Sequence, residues 1–126
     1  MDIAVFGFDP TVDALENSLR EAAEQGFPSY WMPQIFGMDA LTALAVAAKN
    51  VPNIRVGTSV IPTYPRHPMV LAQQALTTQS VIGGRLELGI GLSHQPVVEG
   101  MWGISFDKPV RHMSDYLSIL LSLIHI

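Results

Sequence analysis

The segment "RVGTSVIPTYPRHP", residues 55–68, is the starting point for interpreting the whole chain. Its first half, 55–61, is mostly apolar and rich in β-branched residues, which is typical of a buried strand. Pro62, Pro65 and Pro68 follow, and each proline fixes the backbone and removes an N–H donor. Pro68 suits the first turn of a helix. The segment therefore predicts a buried strand that ends at a rigid loop and leads into a helix.

The same strand-then-helix pattern occurs on both sides of this segment. Apolar runs at 3–6, 29–32 and 86–90 each have the length of a short strand, and residues with helical spacing follow them. Asp39 can cap the start of one helix, and Gly26 can end another in a left-handed conformation. A repeat of roughly 25 to 30 residues of this kind predicts successive βα units with a parallel sheet.

The last predicted helix begins near Pro109, after "DK" at 107–108. Helical spacing places Val110, Met113, Leu117 and Leu120 on one face. We therefore expect that face to be buried.

Two architectures contain such βα units, and the glycine pattern helps to separate them. A doubly wound dinucleotide-binding sheet should carry Gly-x-Gly-x-x-Gly after a strand. The nearest stretch, "GIGLSH" at 89–94, has His94 in place of the third glycine. This favours an α/β fold of the (β/α)8 TIM-barrel type, which needs eight units and about 250 residues. The chain would then hold only the first four βα units, either as a half-barrel that pairs with itself or as part of a longer protein.

Composition and charge exclude several classes of function. The chain has 126 residues, 48% of them hydrophobic, with a net charge of −4 and no cysteine. Disulfides and cysteine metal sites are therefore impossible, and no other metal-ligand spacing is present. The absence of a basic patch argues against nucleic acid, and the apolar run 116–126 is too short to span a membrane. The start lacks the basic region of a secretory signal, so we expect a cytoplasmic protein.

Polar residues follow the predicted strands at their carboxyl ends, where βα folds bind ligands. They include Asp9 after the first strand, Gln34 after the second, Ser59 at the end of the third, and Ser93 and His94 after the fourth. His94 is the best catalytic candidate, because an imidazole can donate a hydrogen bond or a proton to a bound ring. The alternative is a loop histidine bonded to a neighbouring carbonyl, and Gln34 could equally bond only its own loop.

Four other residues have structural interpretations. Gly89 and Gly91 would let another group approach the fourth strand closely. We expect His67, just before Pro68, to be a helix-cap or loop residue. His112, on the last predicted helix, is expected to be solvated or to pack against its neighbours.

Four collinear stretches carry a family resemblance: "YWMPQIFGMDALTALAVAA", "VGTSVIPTYPRHPMVLAQQALT", "GGRLELGIGLSH" and "KPVRHMSDYLSIL". On them, residues 1–120 resemble the N-terminal half of the luciferase-like monooxygenase superfamily. The likeness is greatest to the oxidoreductases that use the deazaflavin coenzyme F420. It implies a (β/α)8 barrel of about twice this length.

The resemblance also implies a function and a site. In the F420-dependent branch the third strand ends in a bulge with a non-proline cis peptide, which backs the deazaflavin ring; the matching bond here is Ser59–Val60. By position, the ring pocket would be lined by Gln34, Ser59, Val60, Ser93 and His94. The phosphate tail would bind mainly to later strands. The implied reaction is hydride transfer between F420 and an unidentified small organic substrate, in a protein that forms a homodimer when intact.

Two alternatives to this function stay open. One is a monooxygenase of the same superfamily that uses flavin mononucleotide (FMN). The other is a half-barrel without catalytic activity that dimerises as a structural or binding module.

The end of the chain has an unusual sequence. Residues 121–126, "LSLIHI", are the translation of CTG-TCT-CTT-ATA-CAC-ATC, which resembles a transposon-end adapter used in DNA sequencing. We therefore expect residues 1–120 to be the family portion and residues 121–126 to be a non-native tail. The alternative is a natural helix tail. On the first view, activity belongs to the intact parent protein and this chain alone is inactive.

Overall fold

The structure is a computed structural model that describes residues 2–124. Its strands are β1 (Val5–Phe6), β2 (Ser29–Met32), β3 (Arg55–Thr58), β4 (Ile61–Pro62), β5 (Leu86–Glu87) and β6 (Ile90–Gly91). Its helices are α1 (Val12–Glu24), α2 (Ala40–Ala47, continued by a 3-10 turn over Ala48–Asn50), α3 (Pro68–Val81), α4 (Gln95–Gly100) and α5 (Pro109–Ile124). The predicted alternation of strands and helices is confirmed.

Local signals explain where the helices begin and end. Thr11 caps α1 by accepting a hydrogen bond from the Ala14 N–H at 3.1 Å. Asp39 caps α2 as predicted, accepting from the Thr42 N–H at 2.9 Å. Gly26 follows α1 with a φ of 82°, the left-handed conformation expected there.

The main sheet is parallel and has four strands in the order β1-β2-β3-β5, which is the chain order. Because the order is sequential and crossovers between parallel strands are right-handed as a rule, the helices lie on one side of the sheet, as in a barrel wall. Tyr30 and Val56 lie side by side in the register and belong to the core between the sheet and α1 and α2. The next row, containing Trp31 and Gly57, faces the other way, toward what is the interior of a complete barrel.

The third predicted strand is divided into β3 and β4, and the fourth into β5 and β6, in each case near the carboxyl end. Gly57 pairs with Glu87 before the interruption and Ile61 pairs with Ile90 after it. Residues 58–60 therefore lie opposite only two residues, 88 and 89, so the third strand contains a bulge. The peptide bond between Ser59 and Val60 is cis, which confirms the prediction for that bond.

The buried face of α5 agrees with the predicted one at Leu120 but not at Val110 or Leu117. Tyr116 and Leu120 are buried, whereas Val110 is 81% exposed and Leu117 is 39% exposed. The apolar residues of this helix allow two overlapping faces. On the face that is buried, the Tyr116 hydroxyl donates a hydrogen bond to the Arg66 carbonyl at 2.8 Å.

The strands are also shorter than the sequence indicated. The first covers only Val5–Phe6 of the predicted 3–6, and 86–90 is split between β5 and β6. The short helix α4 was not predicted; it lies in a region that the sequence analysis treated as a loop.

The tail residues 121–124 continue α5, and Leu123 and Ile124 pack against the core formed with α3. Residues 125–126 of the tail lie outside the described part of the chain. The origin of the tail stays a prediction. Within residues 2–124, no helix combines the length and the apolar character required to cross a membrane.

Candidate functional site

A cleft of about 450 Å³ opens at the carboxyl ends of the strands. Its lining includes Gln34, Ser59, Val60, Ser93 and His94, which are all five residues predicted for the ring pocket. They come from the loops after β2, β3 and β6, so the fold brings together positions up to 60 residues apart, as from Gln34 to His94. Their places are known from the structure, but their roles in binding stay predictions.

The bulge that forms one wall of the cleft is held by hydrogen bonds to Gly89, two of which the Thr58 hydroxyl makes. Thr58 is fully buried, and its Oγ1 donates to the Gly89 carbonyl at 2.8 Å and accepts from the Gly89 N–H at 2.9 Å. The same carbonyl accepts the Ile61 N–H at 2.9 Å. Ser59 and Val60 are exposed at the cleft, although the Ser59 N–H donates to the Met32 carbonyl of the second strand at 2.8 Å.

The close approach predicted at Gly89 and Gly91 is confirmed, and the approaching group is the third strand itself. A Cβ added at Gly89 would collide with the backbone carbonyl oxygen of Thr58. One added at Gly91 would collide with the side chain of Val60. The two glycines therefore make room for the bulge, and through it they shape the cleft.

Gln34 is partly committed to its own loop. Its Oε1 accepts a hydrogen bond from the Ala40 N–H, the first residue of α2, at 3.1 Å. In the part of the chain that the structure describes, no partner is present for its amide nitrogen. The fixed carbonyl orients the side chain and leaves two N–H donors available at the cleft.

His94 has a fixed backbone and an exposed side chain. It is the N-cap residue of α4, and its carbonyl accepts from the Val97 and Val98 N–H groups, both at 3.0 Å. Its imidazole has no hydrogen-bond partner among residues 2–124. The preceding Ser93 has a φ of 65°, so the chain turns sharply where it leaves the fourth strand. The alternative of a loop histidine bonded to a neighbouring carbonyl is not what the structure shows.

The other two predicted histidines have structural roles. His67 caps α3, accepting from the Met69 N–H at 3.2 Å, as expected. His112 stacks on the Tyr64 ring with centroids 4.0 Å apart, and its Nε2 lies 3.0 Å from the Thr63 hydroxyl. Burial lowers the pKa of His112 despite the opposing influence of Asp115. Of the two possibilities for His112, packing is the correct one.

A polar network that sequence analysis missed links the loop after β2 to the loop before α3. Arg66 pairs with Asp39 at 2.6 Å, and Gln74 bonds both of them at 2.8 and 2.9 Å. Burial alone would raise the pKa of Asp39, but hydrogen bonds from Arg66 and Thr42 outweigh it and lower that pKa. The network joins the start of α2 to the loop before α3. The available signals in the sequence were Arg66, a charged residue in the proline-rich loop, and Asp39, the expected N-cap of α2. Nothing in the sequence indicated that the two residues pair with each other.

The donor set of the cleft suits a planar heterocycle. Val60 offers an apolar surface, while the hydroxyls of Ser59 and Ser93, the amide of Gln34 and the imidazole of His94 can bond ring carbonyl and N–H groups. Neither lysine nor arginine is among the described residues that line it. The residues present therefore fit the ring of a flavin or deazaflavin, and a phosphate tail would need cationic residues elsewhere.

Comparison with known proteins identifies the class. The sequence pattern of the luciferase-like monooxygenase family matches residues 5–125, and the chain belongs to that family. It is 38% identical over 120 residues to a protein of Mycobacterium tuberculosis (strain ATCC 25618 / H37Rv) that is named as a coenzyme F420-dependent oxidoreductase. That match covers 95% of this chain and 34% of the relative. This chain is also 32% identical to a 5,10-methylenetetrahydromethanopterin reductase of Methanolobus tindarius, in a match that covers 79% of this chain and 30% of the reductase.

Solved structures show the same fold. The oxygenating constituent of 3,6-diketocamphane monooxygenase from Pseudomonas putida, in complex with FMN, matches with a TM-score of 0.79 at 22% identity, over 95% of this chain and 38% of that one. The coenzyme F420-dependent tetrahydromethanopterin reductase of Methanopyrus kandleri matches with a TM-score of 0.72 at 21% identity, over 83% of this chain and 30% of that one. The fold is that of the TIM-barrel luciferase-like enzymes. The chain spans about a third of the length of its curated relatives, less than the half expected from the sequence.

Proposed function

We propose that this chain is the ring-binding part of an F420-dependent oxidoreductase that transfers a hydride between the deazaflavin and an organic substrate. The observation that carries the proposal is the bulge at residues 58–60, which places Ser59 and Val60 in one cleft with Gln34, Ser93 and His94. The 38% identity to a relative named for F420 supports the same cofactor.

The residues of the chain have distinct roles in this proposal. F420, when bound, supplies the hydride-carrying carbon, and the protein supplies position and shielding. Val60 provides the apolar surface behind the ring, and the hydroxyls of Ser59 and Ser93 bond the edges of the ring. Gln34 adds its amide donors. The exposed imidazole of His94 donates a hydrogen bond or holds a proton at the rim of the cleft.

Titration of the full-length parent protein with F420 and with FMN tests the choice of cofactor. We expect saturable quenching of F420 fluorescence and stereospecific exchange of hydride with F420. Binding of FMN alone would favour the FMN monooxygenase, for which the match to an FMN complex is the supporting observation. Binding of neither would favour the module without catalytic activity.

Substitution of His94 tests the catalytic assignment. We expect His94→Ala to lower kcat by about 100-fold, in the usual range for loss of a positioned acid–base group. His112 is a poor control because its ring packs on Tyr64 and bonds Thr63. The matched control is His67→Asn, since asparagine keeps the helix cap and the site lies outside the cleft. Equal losses in both variants would refute the role of His94.

Two further expectations belong to the whole protein. A homodimer of the full-length parent and a cytoplasmic location both follow from the sequence interpretation and stay predictions.

A further inference from the structure

Ala40 is the first residue of α2, and the way its N–H is satisfied fixes the amide of Gln34. Ala40 is fully buried, and the N–H of a first helical residue has no acceptor within its own helix. The Gln34 Oε1 supplies the acceptor at 3.1 Å, and in the described part of the chain this is the one hydrogen bond that residues 33–38 make. A flipped amide would leave the buried Ala40 donor without a partner. Gln34 therefore presents its two N–H donors, and not its carbonyl, to the cleft.

The place where α2 begins depends in turn on Arg66. Asp39 directly precedes Ala40, and one of its carboxylate oxygens accepts from the Arg66 guanidinium at 2.6 Å. The other oxygen accepts from the Gln74 amide at 2.8 Å. The side chains of Arg66 and Asp39 are only 17% and 30% exposed, so solvent screens this pair less than an exposed one. The ion pair therefore holds the start of α2 against the loop before α3.

Arg66 is itself held at two other points. The Thr63 N–H, three residues before it, donates to the Gly91 carbonyl of β6 at 2.9 Å. The Arg66 carbonyl accepts the Tyr116 hydroxyl of α5 at 2.8 Å. The pair thus ties a loop with one hydrogen bond of its own to a segment that is fixed on two sides.

We propose that Arg66 and Asp39 are a positioning pair for the cofactor ring: they fix the start of α2 and, through the Ala40 N–H, direct the amide donors of Gln34 at the ring. This inference rests on the proposed function, because it takes the cleft as the place of the ring. Neither Arg66 nor Asp39 is among the described lining residues, so the pair acts through Gln34. Two amide donors select a ring carbonyl or an unprotonated ring nitrogen.

A double-mutant cycle on the full-length parent protein tests this route. Fluorescence quenching gives the dissociation constant of F420 for the unmodified protein, Gln34→Ala, Arg66→Met and the double variant. We expect each single substitution to weaken F420 binding by about tenfold, which corresponds to the loss of roughly one hydrogen bond to the ring. In the Gln34→Ala background, Arg66→Met should weaken it by less than about twofold. Equal losses in both backgrounds, or no loss from Arg66→Met, would overturn the inference.

Two further variants complete the cycle. Arg55→Met is the matched control, because Arg55 bonds Glu87 at 2.7 Å at the amino end of β3, the opposite end of the strands from the cleft. It should leave the affinity for F420 unchanged. Asp39→Asn keeps the helix cap and removes the charge, so it should weaken F420 as Arg66→Met does. Unchanged affinity in Asp39→Asn would contradict the inference even if Arg66→Met failed to fold.

Hydrogen exchange at the Ala40 N–H separates this inference from the proposed function, because it needs no cofactor. Gln34→Ala removes the acceptor and sets the rate for the unprotected N–H. We expect Arg66→Met to raise the rate toward that limit and Arg55→Met to leave it unchanged. Faster exchange in a protein that binds neither F420 nor FMN would retain the positioning of Gln34 and reject the proposed function. Unchanged exchange in Arg66→Met would overturn the inference whichever cofactor binds.

Discussion

Thr58 is the residue on which the shape of the cleft depends most directly. Its hydroxyl occupies both the N–H and the carbonyl of Gly89, so the bulge satisfies its polar groups although it departs from a regular ladder. Small residues opposite the bulge complete the arrangement, since any Cβ at Gly89 would meet the backbone of Thr58. The position of Val60 at the cleft therefore depends on two residues that are not among the described lining residues of the cleft.

Replacement of Gly89 should disturb this arrangement. We expect Gly89→Ala to lower the free energy of unfolding by roughly 1–3 kcal/mol, because the methyl group collides with rigid backbone. Chemical denaturation of the full-length protein measures the change. The control is Gly37→Ala, where nothing lies within 4 Å of the added Cβ, and we expect little effect there. Equal stability of the two variants would show that the bulge is not tightly packed.

Removal of the Tyr30 hydroxyl and removal of the Tyr64 hydroxyl should have different effects on stability. The Tyr30 hydroxyl bonds Asp9 at 2.6 Å, whereas the Tyr64 hydroxyl is buried without a partner among residues 2–124. Tyr30→Phe should therefore lower the free energy of unfolding by about 1–3 kcal/mol. Tyr64→Phe should leave it unchanged or raise it, because the hydroxyl that is removed is desolvated on folding without gaining a hydrogen bond. Thermal unfolding of the two variants, measured side by side, checks this. A large loss for Tyr64→Phe would contradict the packing seen here.

Among the elements, α2 and α3 are tied together by the Asp39–Arg66–Gln74 network. It links the N-terminus of α2 to the proline-rich loop of the opening segment. The carbonyl of Arg66 in turn receives the Tyr116 hydroxyl of α5. Residues of α3 and α5 and the N-cap of α2 are therefore bonded to or through this loop, which follows the third strand.

The stability that this network provides should depend on pH. The pKa of Asp39 is lower in the folded protein than its usual 3.8, so its contribution is present above that value and is lost as pH falls through the lowered pKa. Asp39→Asn keeps the helix cap but removes the charge, and at neutral pH it should cost about 1 kcal/mol given partial solvent screening. Denaturation at several pH values should show this difference shrinking as the carboxyl of the unmodified protein becomes protonated. A difference that is constant from neutral to acid pH would rule out an ionic contribution.

At the scale of the whole molecule, the sheet has two edges without partners in the part of the chain that is described. β1 has a neighbour only in β2, and β5 only in β3. Unpaired strand edges favour association with other chains, and a barrel normally closes them. The apolar inner face, represented by the 52% exposed Phe6, is likewise uncovered.

We therefore expect residues 1–126, expressed alone, to aggregate or self-associate and to show no cofactor-dependent turnover. The free energy of unfolding of an intact domain is only about 5–15 kcal/mol, which leaves little margin for two open edges and an uncovered face. Light scattering after size-exclusion chromatography and calorimetry measure this, with the full-length parent as the control. A soluble monomer with one sharp thermal transition would contradict the prediction.

The sequence by itself determined the order of the elements, their parallel arrangement and several of their ends. Asp39, His67 and Gly26 could be assigned because capping depends on residues within a few positions of one another. The cis bond at Ser59–Val60 and the set of residues at the cleft came from resemblance to a family and from the rule that ligands bind at strand ends.

Only the tertiary structure decided the contacts between residues far apart in the chain. Three hydrogen bonds each join segments 27 to 50 residues apart. They run between Arg66 and Asp39, between the Thr58 hydroxyl and Gly89, and from the Tyr116 hydroxyl of α5 to Arg66. Such contacts depend on how helices and strands pack, and local propensity and apolar spacing are compatible with more than one outcome. The physical reason is that a helical apolar pattern permits neighbouring faces, and contacts with distant parts of the chain decide which face is buried.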